Sequence, residues 1–148
     1  MATVVLDANI LLRLILPSQR DPAAAALWQL CATTDTNLVI PSQGVSEAMS
    51  AIRNSVYSGV ITEEDGERFF AELRSLAHLM QVEITQFGAG EAAKHFNRPR
   101  TYDCEFYALA EQIGADFWTA DDRFVNAMGS RRPDWVKRLS EFQTTTGS

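Results

Sequence analysis

Two acidic residues of this chain follow short segments that have the composition of buried strands. Asp7 comes after the apolar run Val4–Leu6, and Asp121 comes just after Asp116–Thr119. Parallel sheets collect the carboxyl ends of their strands at one edge, where such folds place their binding sites. A turn residue is the plainer explanation for each acid taken alone. If both segments are strands of one sheet, we expect the two carboxylates to lie close together.

A third acid, Asp103, lies near the start of a predicted helix, Tyr102–Ile113. At 100° per residue, Asp103 falls on the same stripe as Phe106 and Ala110, whereas Glu105 points to the opposite side. Glu105 is therefore expected to be an ordinary surface acid. An N-terminal cap or a partner for the helix dipole would explain Asp103 as well as a functional role does.

A fourth acid, Glu47, lies in a helix predicted from Gln43 to about Tyr57. Its pattern predicts a solvated side chain, since Glu47 projects away from the apolar stripe of this helix, which consists of Val45, Met49, Ile52 and Val56. The small residues Gly44 and Ala48 would permit close approach of another element.

Carboxylates that converge raise one another's pKa unless a cation is present. Mg²⁺ binds oxygen ligands, uses few carboxylates and keeps part of its water, and such a centre can activate water for phosphodiester cleavage. The other common catalytic groups are sparse, because the chain has only two histidines and two cysteines. These numbers argue against a zinc cluster or a disulfide framework and suit a reducing compartment.

Composition and length are those of one globular domain. The chain has 148 residues, of which 46% are hydrophobic, and a formal net charge of −6. This charge counts against a simple nucleic-acid binder, unless bound cations reverse the local sign. The apolar run Ile10–Leu16 is too short for a membrane span and contains Arg13. We expect a cytoplasmic protein with one domain over residues 1–142 and a flexible tail over 143–148.

Short apolar strands alternate with helices along the chain, which predicts a parallel sheet covered on both faces. The predicted strands are Val4–Leu6, Asn37–Ile40, Val82–Thr85, Asp116–Thr119 and Trp135–Leu139. Besides the two helices already named, the predicted helices are Ala23 to about Ala32, Glu63 to about Leu79, Gly90–Phe96 and Arg123–Met128. Asp21, Ser42 and Thr62 are the expected helix caps.

Three segments together resemble the PIN-domain ribonucleases, and most closely the VapC-type toxins of toxin–antitoxin pairs. The segments are VVLDANILLRLIL, VIPSQGVSEAMSAI and TYDCEFYALAEQIGADFWTADDRF. The resemblance extends over nearly the whole chain and includes the order and spacing of the acids. It implies an α/β/α sandwich, three layers deep, with a central parallel sheet of four to five short strands.

The resemblance further implies a Mg²⁺-dependent or Mn²⁺-dependent endoribonuclease that cleaves RNA. Asp7, Glu47, Asp103 and Asp121 correspond to the catalytic metal ligands of the family. Many members form homodimers and are inhibited by an antitoxin. We accordingly expect an RNA substrate, an antitoxin partner and a homodimer for this chain, and no membrane association.

Other residues are assigned supporting roles by the same resemblance. Asn9 and Thr119 stand where the family has side chains that support the metal ligands. Asp122 departs from the family pattern, and we predict that it caps the following helix rather than adding a ligand. Six arginines near the acids are candidate phosphate contacts, although scattered surface arginines are an equally good explanation: Arg13, Arg98, Arg100, Arg123, Arg131 and Arg132.

Three alternatives remain open from the sequence. The chain could be a PIN module that acts mainly through protein binding, or a nuclease that cuts DNA with the same metal site. A phosphatase with a nucleophilic aspartate at the end of its first strand generally needs a second aspartate two positions later. Asn9 occupies that position here, which argues against the phosphatase.

Overall fold

Five parallel strands form the central sheet of the structure, a computed structural model that describes residues 2–83, 88–98 and 102–142. Their order across the sheet is β3-β2-β1-β4-β5, so β1 is central. The strands are β1 Thr3–Leu6, β2 Asn37–Pro41, β3 Gln81–Glu83, β4 Asp116–Thr119 and β5 Val136–Arg138. Val5 is in register with Val39 of β2 and Phe117 of β4.

Helices cover both faces of this sheet, which confirms the predicted α/β/α fold. Within the described residues they are α1 Ala8–Ile15, α2 Pro22–Thr33, α3 Ser42–Tyr57, α4 Glu63–His78, α5 Gly88–His95, α6 Tyr102–Ile113 and α7 Asp122–Met128. Short 3-10 turns follow at Pro17–Gln19, Gly129–Arg131 and Leu139–Glu141. None of the helices in the described ranges has the length and apolar character needed to cross a lipid bilayer.

The three central strands are buried on both faces because helices pack against each side. Val5, Leu6 and Ile40 have no exposed surface, and Phe117 is 1% exposed. These side chains belong to one hydrophobic cluster that also includes residues from all seven helices. Continuous apolar strands are the expected composition for a parallel sheet enclosed in this way.

Most element boundaries agree with the sequence predictions to within one or two residues. Two predictions extend beyond what the structure describes: the end of β3 at Ile84 and Thr85, and the tail over 143–148. The last strand is shorter than predicted at both ends. Helix α1 is not among the predicted helices, because its apolar residues follow β1 with only Asp7 between them and the helix is itself largely buried.

Two of the three predicted caps are confirmed. Asp21 accepts a hydrogen bond from the Ala23 amide, and Thr62 accepts one from the Asp65 amide. The prediction for Ser42 is wrong, since Ser42 is the first helical residue and Pro41 precedes it as a cap without a side-chain hydrogen bond.

The buried face of α3 differs from the predicted stripe of large apolar residues. Met49 is 48% exposed, whereas Gly44, Ala48 and Ile52 are buried. A Cβ at Gly44 would lie only 2.8 Å from side-chain atoms of Ile40 and Phe106. The α3 backbone therefore approaches β2 and α6 through its small residues.

We expect Gly44→Ala to lower the free energy of unfolding by about 1–3 kcal/mol, because the added methyl group overpacks the contact with β2 and α6. Urea denaturation would measure the change. Gly90→Ala in α5 is the matched control, since a Cβ there meets no atom within 4 Å. The free energy of unfolding of the control should rise by about 0.5–1 kcal/mol. If both variants gained stability, the close approach of α3 would be incorrect.

Candidate active site

A small cleft lies at the carboxyl edge of the sheet, and all four predicted acids line it. They come from four places in the chain. Asp7 follows β1, Glu47 lies in the second turn of α3, Asp103 lies in the first turn of α6, and Asp121 lies between β4 and α7. The described lining residues are Asp7, Ala8, Asn9, Glu47, Asp103, Phe106, Phe117, Thr119, Asp121 and Phe124.

Asp7 is the most buried acid of the cleft, with 5% of its surface exposed. Its Oδ1 accepts a hydrogen bond from the Ile10 amide at 3.0 Å and so caps α1. Its Oδ2 accepts hydrogen bonds from the Thr119 hydroxyl and from the Ala120 amide, the latter at 3.2 Å. Three donors therefore fix the carboxylate and offset part of the cost of burying it.

Thr119 links two of the acids. Its hydroxyl donates to Asp7 Oδ2 and accepts a hydrogen bond from the Asp121 amide at 2.9 Å. The residue is 1% exposed, so water does not compete for this hydroxyl. The predicted supporting position of Thr119 thus has a definite geometry: one hydroxyl orders both the end of β1 and the turn after β4.

Asp121 caps α7, since its Oδ1 accepts a hydrogen bond from the Phe124 amide at 3.1 Å. The prediction that Asp122 is the cap is therefore wrong. Asp122 is the first residue of α7, and its Oδ1 lies 3.2 Å from the Ser140 hydroxyl and 3.7 Å from Arg138. The sequence offers two consecutive aspartates, and spacing alone does not decide which one begins the helix.

Glu47 is half-buried on the wall of the cleft. Gln43, one turn earlier in α3, donates from Nε2 to Glu47 Oε1 at 2.7 Å. The helical-wheel prediction of a solvated side chain is wrong, because α3 packs through its small residues and this orientation brings Glu47 to the cleft. Gln43 is not among the residues predicted for the site, although its position four residues before Glu47 in a helix is a signal for this contact.

Asp103 lies at the rim, where Arg98 Nη2 donates to its Oδ2 at 3.2 Å. Arg98 also stacks over the Phe124 ring, with the guanidinium carbon 5.3 Å from the ring centroid. Asp103 lies on the same face of α6 as Phe106, as the helical spacing predicts, and both line the cleft, although the Asp103 side chain is 46% exposed. Glu105 is half-buried rather than fully exposed, and its charge contributes to the electrostatics of Glu47.

Burial and mutual repulsion raise the pKa of two of these acids. Burial, with a smaller contribution from the charge of Asp121, raises the pKa of Asp7 to about 6 against the lowering effect of its three hydrogen bonds. Burial raises the pKa of Glu47 to about 7, and Asp103, Asp7 and Glu105 add to the rise. The carboxylates are therefore close enough to repel one another, as expected for a cluster of acids that binds a cation.

The donor set suits a hard divalent cation. Carboxylate oxygens are the preferred ligands of Mg²⁺ and Mn²⁺, and protonation of the cleft is the alternative when no cation balances its charge. No three acidic, histidine or cysteine side chains in the described ranges are arranged to hold an ion by themselves. A Mg²⁺ ion at this cleft would therefore need water or substrate oxygens among its ligands, which is its usual manner of binding.

Of the other residues predicted to support the site or to contact phosphate, only some line the cleft. Asn9 lines it and is exposed. Arg13 is not among the lining residues and forms an ion pair with Asp21 at 2.8 Å. Arg123 is exposed on α7, and Arg100 lies outside the described residues.

Comparison with known proteins identifies the family. The family model described as PIN domain matches residues 5–141, so the chain belongs to the PIN-domain family. PIN domains are nucleases, and membership supports a nuclease in general terms. A search of curated proteins found no match.

Several solved structures share the fold at low sequence identity. PAE2754 from Pyrobaculum aerophilum is 16% identical, with a TM-score of 0.67 over 94% of this chain and 85% of that one. The toxin VapC20 of Mycobacterium tuberculosis, which cleaves the sarcin–ricin loop, is 13% identical, with a TM-score of 0.59 over 84% and 94%. FitAcB from Neisseria gonorrhoeae is 16% identical, with a TM-score of 0.62 over 84% and 91%.

We expect the metal-free protein to lose stability as the pH rises from about 5 to about 8. The raised pKa values of Asp7 and Glu47 mean that the folded chain holds protons which the unfolded chain releases at lower pH. This contribution is present below the unfolded values and is lost as the pH rises through about 6 to 7. Glu47 is half-buried, so solvent reduces its share.

Melting temperatures in EDTA would measure this dependence. We expect a fall of about 3–6 °C over the interval, equivalent to about 1–2 kcal/mol. Asp7→Asn should reduce the fall, because the amide keeps an oxygen for the α1 cap and carries no charge. Asp116→Asn, at the exposed start of β4, is the control that should leave the fall unchanged. A melting temperature that is level or rises across this interval would contradict the electrostatic description.

Proposed function

We propose that this PIN domain is a divalent-metal-dependent endoribonuclease and the toxin of a toxin–antitoxin pair. The observation that carries the proposal is the convergence of Asp7, Glu47, Asp103 and Asp121 on one cleft from four separate elements. Capping explains the positions of Asp7 and Asp121, but neither turn formation nor capping explains why Glu47 and Asp103 line the same cleft. The family membership supports the same conclusion.

The residues of the cleft have separable tasks in such a reaction. A bound Mg²⁺ or Mn²⁺ would supply an activated water and neutralise charge at the phosphodiester. Carboxylates among Asp7, Glu47, Asp103 and Asp121 would hold it together with water or substrate oxygens. Asp7 is fixed by its three hydrogen bonds, and Asp121 is oriented by Thr119. Burial and the neighbouring acids raise the pKa of Glu47 to about 7 in the metal-free cleft, so Glu47 could exchange a proton there near neutral pH.

Partners follow from the structures that share the fold. The related structures include VapBC2 from Rickettsia felis and VapBC from Salmonella typhimurium, both bound to DNA. We propose an antitoxin partner for this chain by analogy with these complexes, and a homodimer on the family resemblance alone. An apolar groove between α3 and α4, which includes Val45, Met49, Phe70 and Leu73, offers a surface for a protein contact.

That groove is also the observation that favours the second candidate function, a PIN module that acts mainly through protein binding. The two functions differ in what they require of the acids. A binding module needs no divalent metal in the cleft, whereas a nuclease does. Calorimetry with Mn²⁺ therefore separates them, and absence of binding would favour the module.

Asp103→Asn should reduce cleavage of a single-stranded RNA in Mg²⁺ or Mn²⁺ by about 100-fold or more, since a lost ligand costs at least as much as a lost supporting residue. The same variant should bind Mn²⁺ more weakly in calorimetry. Gel analysis of a labelled oligoribonucleotide measures the rate, and a DNA oligonucleotide of the same sequence tests the DNA-directed alternative.

Asp116→Asn is again the matched control, because it removes one carboxylate from the opposite end of β4 and leaves the cleft intact. It should cleave RNA at the wild-type rate. Cleavage by the wild-type protein in EDTA, or equal rates for the two variants, would contradict the proposed metal-dependent function.

A further inference from the structure

A second pocket lies beside the acidic cleft, between the carboxyl-terminal ends of α5 and α7. Its volume is about 500 Å³, within the range of sites that hold small ligands. His95, Phe96, Asn97 and Arg98 form one wall, and residues 127–131 form the other. Two arginines, Arg98 and Arg131, line it, and no acidic residue is among its described lining residues. We call it the Arg98–Arg131 pocket.

The end of α5 directs Arg98 toward the cleft. Asn97 has a positive φ of 52°, its amide donates to the Lys94 carbonyl at 3.2 Å, and the Arg98 amide donates to the Ala93 carbonyl at 2.7 Å. This is the hydrogen-bond pattern of a Schellman motif, which satisfies carbonyls of the last turn. Since Arg98 also donates to Asp103, it belongs to the wall that separates the pocket from the cleft.

The second arginine is held in place by backbone rather than by an acid. Arg131 Nη1 donates to the His95 carbonyl at 2.8 Å, and Arg131 forms no ion pair within the described residues. By contrast, Arg132 and Arg138 both pair with Glu141. A guanidinium has five N–H donors in a fixed plane. The bond to His95 orients Arg131 and leaves donors for a ligand.

We propose that the Arg98–Arg131 pocket binds a nucleotide of the RNA strand, through its phosphate, next to the phosphodiester that the cleft cleaves. This inference rests on the proposed nuclease function, because it assigns the neighbouring nucleotide of the same substrate. Arginine forms bidentate hydrogen bonds with phosphate. The exposed imidazole of His95, packed edge-on against Phe96, offers a face on which the base can stack.

The pocket also supplies what the acidic cleft lacks. The four carboxylates repel a phosphate strand until metal binds, so an RNA needs cationic contacts beside them. Arg98 is shared between Asp103 and the pocket, and Arg131 lies on the far wall. A strand held by these two guanidinium groups would pass along the rim of the cleft.

Fluorescence anisotropy with a labelled single-stranded RNA, in EDTA and at low ionic strength, tests the pocket without cleavage. Arg131→Ala should weaken binding about tenfold, the loss typical of one charge-assisted hydrogen bond. It should also reduce the slope of log Kd against log salt by about 0.7. Arg20→Ala is the control, since Arg20 is exposed and lies outside both the cleft and the pocket.

Ala127→Phe tests the cavity itself, because Ala127 is an exposed lining residue and the substitution fills space without changing charge. It should weaken RNA binding while circular dichroism remains that of the wild type. Three results would each overturn the proposal that this pocket binds RNA. They are equal affinities for Arg131→Ala and Arg20→Ala, unchanged binding by Ala127→Phe, and no RNA binding by the wild type. Metal-dependent cleavage by the wild-type protein alongside any of these results would leave the nuclease proposal intact.

Discussion

The hydrogen bond from the Thr119 hydroxyl to the buried Asp7 carboxylate is the interaction on which the site depends. It joins the ends of β1 and β4, the neighbouring strands at the centre of the sheet. The oxygen of the same hydroxyl accepts a hydrogen bond from the Asp121 amide, so it also shapes the turn that starts α7. Asp7 in turn caps α1. Without this bond, the folded chain would bury a carboxylate with less compensation, and the turn carrying Asp121 would lose its anchor.

The same arrangement creates an electrostatic conflict that the fold contains but does not remove. Asp7 and Glu47 have raised pKa values because burial and neighbouring acids both disfavour their charged forms. Arg98 offsets the negative charge only at the rim of the cleft, where it forms an ion pair with Asp103. Stability would favour replacing these acids, whereas binding of a divalent cation would favour keeping them charged and close. An excess of like charge maintained at one edge of a sheet is therefore better explained by a ligand than by the needs of the fold.

The sequence predicts those features that depend on strand and helix periodicity. Asp7 and Asp121 could be placed because both follow predicted strands, and Asp103 because it interrupts an apolar stripe. The position of Glu47 could not be predicted in this way. A helical wheel takes the face with large apolar side chains as the buried one, whereas α3 packs through Gly44 and Ala48. The α1 helix was missed because its largely apolar residues continue the apolar run of β1, with only Asp7 between them. The choice between Asp121 and Asp122 as a cap depends on the Thr119 hydrogen bond, which no local pattern encodes.

Net charge is a poor guide to the substrate of this protein because its charges are unevenly used. The formal net charge of −6 argues against binding of nucleic acid. This total counts every charged side chain equally, although several arginines are already paired with acids within the fold. Arg13 pairs with Asp21, and Arg132 and Arg138 pair with Glu141, so these residues add little field at the surface. Screening at physiological salt limits the reach of distant acids to about 8 Å. In the proposed nuclease, a phosphate strand near the cleft would therefore respond mainly to a cation held by the acids and to two nearby arginines. Arg131 forms no ion pair within the described residues, and Arg98 is shared with Asp103.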